Sequence, residues 1–161
     1  TNSPGYPWQH TNLCNYASVS NILDASHDFL DLKIQGVSIS SGGGFGLPGD
    51  YSSPSRFVRM AVMKHYAVKG ENEVDGISRM FNQFSAVNIP EGIVMRPEKD
   101  EAGDAYDQTL CISAMCAESG TYYFSTCKNR RINAVRLLGL EGNPDIRYFE
   151  LPQNEDIAYL N

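Results

Sequence analysis

Apolar residues recur at helical spacing through the first half of the chain and cluster with β-forming neighbours in its last third. Between Tyr6 and Ala17, the residues Trp8, Leu13 and Tyr16 stand among polar ones behind a Pro4-Gly5 turn, which predicts a short helix. From Pro54 to Lys69, Phe57, Val58, Met60, Ala61, Val62 and Met63 cover much of a helix circumference. A well-buried helix is expected there, with Gly70 as its C-cap. After Asn72, a residue suited to N-capping, Val74, Ile77, Phe81 and Phe84 recur at spacings of three, four and three. That is one face of a second amphipathic helix, and its plain role is core packing. Asn88-Ile89-Pro90 ends the pattern, and the polar stretch Pro97 to Asp107 reads as an exposed loop.

The last third changes character. Gln108 to Cys116, Gly120 to Cys127, Asn133 to Leu140 and Ile146 to Leu151 are rich in β-branched and aromatic residues and are separated by Gly, Asn and Pro. They predict a four-stranded antiparallel meander, with Glu155 to Leu160 adding a terminal helical turn. Helices followed by strands argue for an α+β fold in which helices pack on a sheet.

Residues 18 to 52 carry no strong period, although Phe29 to Ile34 suits a brief extended piece. Gly42 to Phe57 holds five glycines and two prolines. Such a run is neither helix nor central strand, because glycine loses too much backbone entropy and proline removes a donor. It is a shaped loop ending at Ser53-Pro54, read as an N-cap with proline at the first helical position. Arg56 then lies in the first turn, where the positive end of the helix disfavours a cation unless an anionic group faces it. Arg56 is therefore the first site candidate, the alternative being a surface arginine paired with Asp50. Arg59, one turn on, is expected to be structural or substrate-facing rather than catalytic.

A chain of 161 residues suggests one domain able to bury roughly 68–70% of its unfolded surface. Thirteen basic residues against nineteen acidic ones give a net charge of −6, and no basic run tracks a phosphate backbone, so no nucleic-acid partner is expected. No apolar run approaches the ~20 residues that span a bilayer, so no membrane partner is expected either. Of four cysteines, none forms a C-x-x-C pair, which argues against zinc. Cys111, Cys116 and Cys127 fall in predicted strands and are expected to behave as small buried apolar residues in a reducing, cytoplasmic protein. None of the four, Cys14 included, is nominated as a nucleophile. His10, His27 and His65 form no i, i+4 pair, so neither a metal site nor a Cys-His dyad is signalled. No cofactor is expected.

The segments TNSPGYPWQHTNL, GLPGDYSSPSRF, SAVNIP and SAMCA, with the tyrosine-rich strand before AVRLL, resemble the choloylglycine hydrolase family. That family groups penicillin V acylases with conjugated bile acid hydrolases, and the likeness to a penicillin V acylase looks the closer. It runs from Thr1 to the closing NEDIAYLN. The resemblance implies that residues 1–161 are the C-terminal portion of a single amidohydrolase domain, part of an αββα N-terminal-nucleophile hydrolase sandwich. In this family the catalytic cysteine opens the mature chain, so the nucleophile would come from the N-terminal half of the same enzyme.

Asn2 matches the family's oxyanion-hole asparagine; without the resemblance it would be read as a turn former. Arg56 matches the active-site arginine of the SRF motif. Thr1 invites a rival reading, since a free N-terminal threonine can act as nucleophile and base, but the resemblance places it in a strand running into Asn2. Tyr6 and Trp8 suit either an acyl pocket or the core. The resemblance further implies a small-molecule amide substrate, no cofactor and a homo-oligomer. The expected activity is penicillin V acylase, the alternatives being conjugated bile acid hydrolase or a noncatalytic binding or assembly fragment. Without its N-terminal half, the chain is expected to leave strand edges and apolar surface uncovered.

Overall fold

In the computed structural model, residues 3–22, 43–101, 103–137 and 146–160 are described. They fall into two units, Thr1–Val68 and Lys69–Asn161. In the first, helix α1 spans Tyr6–Asn12 and continues as a 3₁₀ turn over Leu13–Tyr16, close to the helix expected over 6–17. Helix α2 spans Ser53–His65. Its N-cap is Ser52, one residue earlier than the sequence suggested: the Ser52 Oγ accepts from the Ser55 N–H at 3.4 Å. The two helices pack together, with the Tyr6 and Phe57 rings edge to face at 6.1 Å.

Helix α2 also stops short of the expected Gly70 cap. Tyr66 leaves helical geometry at φ −95° and ψ 6°, its ring meets His65 at 4.7 Å, and its hydroxyl donates to the Val19 carbonyl at 3.2 Å. That tether turns the chain before the helical pattern ends. The residues of the helix are less buried than expected, only Ser55, Val58 and Arg59 being fully so.

In the second unit, helix α3 spans Glu73–Ser85, capped by the Asn72 side chain, which accepts from the Asp75 N–H at 3.1 Å. The segment expected as a polar loop is instead a hairpin: β1, Val94–Asp100, pairs antiparallel with β2, Gly103–Asp107. Its signal is not apolar alternation. The Arg96 guanidinium reaches Asp107 across the strands at 2.6 Å, and Gly103 supplies a positive φ of 124° at the turn.

Strands β3, Cys111–Cys116, β4, Thr121–Thr126, and β5, Asn133–Arg136, form a three-stranded antiparallel sheet in that order. The expected fourth strand over 146–151 is absent; those described residues are irregular. The chain there straps the end of β4, with the Thr126 hydroxyl donating to the Pro152 carbonyl at 2.9 Å and the Asn129 amide to Asn154 at 2.6 Å. Residues 155–160 carry no helical turn.

Register places Ile112, Ala114, Cys116, Tyr123 and Ser125 on one face of the sheet and Met115, Tyr122, Phe124 and Val135 on the other. Helix α3 takes the first face. The Glu73 carboxylate accepts from Ser119 at 2.6 Å and from the Tyr123 hydroxyl at 2.5 Å. These bonds hold its pKa below the ordinary carboxylate value and, through Glu73, raise that of Tyr123. The second face stays open, with Met115 66% exposed.

Buried apolar side chains among the described residues are Val19, Val58 and Phe81, far fewer than the length suggested. No helix among them is long and apolar enough to cross a membrane.

Candidate active site

The site candidates that can be placed lie in the first unit. Asn2 and Thr1 fall outside the described residues, as does His27. Arg56 sits where expected, in the first turn of α2, and is half-buried. Its Nε is buried without a hydrogen-bond partner. Leaving a buried donor unmade costs about 1–3 kcal/mol, more for a charged group. The expected alternative, a pair with Asp50, is not formed. The Asp50 carboxylate instead accepts from the Ser52 N–H at 2.9 Å and the Ser55 hydroxyl at 2.5 Å.

Those contacts set the local electrostatics. The Ser52 side chain first, then Ser55, hold the Asp50 carboxyl down at about 2. The same residue thereby ties the glycine-rich loop to the start of α2. Arg59 completes the tie: it is buried, and its guanidinium donates to the Pro48 and Asp50 carbonyls at 2.6 and 2.7 Å. These bonds give Arg59 a structural role, one of the two expected for it. Gly44 and Gly46, at φ 88° and 91°, let the loop take a left-handed path that side chains disfavour. Ser52, Asp50 and Arg59 together fix the turn from which Arg56 projects.

Other nominees fare differently. Tyr6 and Trp8 are exposed, not core, although the Tyr6 ring meets Phe57 of α2 edge to face. His10 lies near Tyr6 at 6.1 Å between rings and His65 against Tyr66. Among the described residues no group of acidic, His or Cys side chains is arranged to hold a metal. The cysteines are free, and Cys14, Cys111 and Cys127 are exposed. This corrects the expectation of buried thiols: Cys111 lies on the open sheet face and Cys127 beyond the end of β4.

One polar residue escaped the sequence reading. Gln9 is fully buried, donates from Nε2 to the Pro4 carbonyl at 3.2 Å, and has an Oε1 with no partner. Its signal was a polar residue three positions after Tyr6 and four before Leu13, on their helical stripe. The second unit has a separate cavity of about 660 Å³ between the end of α3 and strands β3 and β4, lined in part by Phe81, Ile112, Ser125, Lys128 and Arg130. Arg56 is not among its described lining residues.

Comparison with known proteins gives this site a context. A family model described as linear amide C–N hydrolases, choloylglycine hydrolase family, matches residues 1–143. A bile salt hydrolase/transferase of Lactiplantibacillus plantarum is 34% identical over 138 residues, covering 85% of this chain and 40% of that protein. One from Clostridium perfringens is 28% identical over 164 residues, covering 100% and 47%. Among solved structures, a variant of the conjugated bile acid hydrolase from Clostridium perfringens matches with a TM-score of 0.77 at 28% identity, covering 100% of this chain and 48% of that one. Penicillin V acylase from Agrobacterium tumefaciens matches with a TM-score of 0.58 at 20% identity, over 85% and 35%. The chain spans less than half the length of each of these proteins.

Proposed function

We propose, from the premise that this chain belongs to the choloylglycine hydrolase family of linear amide C–N hydrolases, that it is the C-terminal part of an enzyme hydrolysing conjugated bile acids. The observation that carries this reading is the run of relatives named as bile salt hydrolases at 28–34% identity. The likeness to penicillin V acylase, at 20% identity, bears on the fold alone. The order of substrates expected from sequence is therefore reversed, with the bile acid amide first.

In this reading a cysteine of the N-terminal half attacks the amide carbonyl, and the side-chain amide of Asn2 donates to the tetrahedral oxyanion. Arg56 stabilises the thiolate and the charge of the reacting species, and no cofactor is needed. The unpartnered Nε of Arg56 supports this role, since its burial is compensated when an anionic group arrives. The open sheet face and exposed apolar residues such as Leu110 and Met115 support assembly with the N-terminal half and with further copies of the enzyme. The free cysteines support a reducing, cytoplasmic setting.

The test is a parallel assay of the complete enzyme on a glycine- or taurine-conjugated bile salt and on penicillin V. A higher kcat/KM for the bile salt is expected. A higher value for penicillin V would restore the other order.

A further inference from the structure

We propose that Ser55 is a positioning residue for Arg56: it holds the Asp50 carboxylate away from the guanidinium, so that the positive charge stays free for the reacting groups. This rests on the role given to Arg56 above. Asp50 is the natural competitor for that cation. Its carboxylate lies 2.5 Å from the hydroxyl of Ser55, the residue before Arg56 in α2. Its pKa, down at about 2, keeps it charged at any working pH. A pair between Asp50 and Arg56 would also satisfy the buried Nε of Arg56, which has no partner. So favourable a local contact is left unmade, and departures of that kind are expected at functional sites.

The bonds around Ser55 direct its proton to Asp50. The residue is buried, and its oxygen accepts from the Ser52 hydroxyl at 3.1 Å, so its one proton is left for the Asp50 Oδ2. The other carboxylate oxygen, Oδ1, accepts from the Ser52 N–H at 2.9 Å. From behind, the buried Arg59 guanidinium fixes the backbone of Asp50 through its carbonyl at 2.7 Å and that of Pro48 at 2.6 Å. One arginine thus grips the Asp50 backbone while two serines occupy its side chain, and none of these bonds uses the Arg56 guanidinium. Removing the Ser55 hydroxyl frees one carboxylate oxygen beside a helix turn in which Arg56 holds an unmet donor.

The experiment uses the complete enzyme and a conjugated bile salt, with Ser55→Ala, the double variant Ser55→Ala with Asp50→Asn, and Arg56→Met. Ser55→Ala is expected to lower kcat about 10-fold with KM changed less than about twofold, because the released carboxylate pairs with Arg56. Adding Asp50→Asn to Ser55→Ala is expected to raise kcat again, at least about fivefold, since the amide carries no charge to compete. A double variant as slow as Ser55→Ala, or slower, would reduce Ser55 to a structural residue of the turn and overturn the inference. An unchanged kcat in Ser55→Ala would do the same while leaving the role of Arg56 intact. A parental kcat in Arg56→Met would overturn the underlying reading instead. If Ser55→Ala does not fold, Ser55→Cys, close in shape and only a weak donor, is read by the same criteria.

Discussion

At the scale of single residues, Arg56 and Asp50 carry opposite signatures. Arg56 holds a buried donor with no partner, so replacing it with an apolar side chain of similar length removes an unmet polar group. Arg56→Met is expected to leave the unfolding midpoint of the complete enzyme unchanged or raised while kcat falls at least about 10-fold. A lowered midpoint with retained turnover would make Arg56 a structural residue.

Asp50 is the reverse case. Its folded pKa, held at about 2 by the Ser52 and Ser55 bonds, lies below its ordinary 3.8. Its contribution to stability is therefore complete above about pH 4 and is lost as pH falls towards 2. Asp50→Asn is expected to lower the unfolding midpoint at pH 7, and the gap to the parent should close as the pH drops through that window. A gap that persists at pH 2 would contradict the assignment. The prominence of Arg56 was legible from its place after a serine cap. That Asp50 would turn to the serines rather than to Arg56 was not, because spacing alone does not choose between two nearby partners.

Among the elements, helix α2 matters most for the site because its first turn carries Arg56. Ser52→Ala removes the cap and is expected to cost about 1 kcal/mol of stability, read as a shift in denaturant midpoint, together with a fall in kcat as the turn loosens. Stability loss with unchanged kcat would detach the cap from the site. In the second unit, Phe81 is among the few buried apolar side chains, and Phe81→Ala is expected to cost about 3–5 kcal/mol.

The two 13-residue helices α2 and α3, the short α1 and strands β3 to β5 were legible, from their apolar spacing or β-rich composition. The β1–β2 hairpin was not: residues such as Arg96, Pro97 and Lys99 look like loop, and the antiparallel ladder, with an exposed Arg96–Asp107 pair across it, has no apolar alternation to announce it. The supposed fourth strand failed for the opposite reason. Ile146, Tyr148 and Leu151 have strand-like composition, but the segment spends its bonds strapping Thr126 and Asn129, and composition does not reveal a missing ladder partner.

At the scale of the whole molecule, the α+β character and the place within the N-terminal-nucleophile hydrolases agree with the solved relatives. What length alone overestimated was the core. The open face of the β3–β5 sheet, exposed Cys111 and exposed Met115 are features of a sheet with a layer on one side only. The chain covers 47% of its Clostridium perfringens relative, and the proposed chemistry needs an attacking thiol that this chain does not place beside Asn2 and Arg56 in sequence. The most direct measurement is hydrolysis of a conjugated bile salt by this chain alone, by its N-terminal half alone and by the two combined. The account predicts turnover only on combination, reduced at least about 10²-fold by Asn2→Ala. Turnover by this chain alone, abolished by Thr1→Ala, would contradict it.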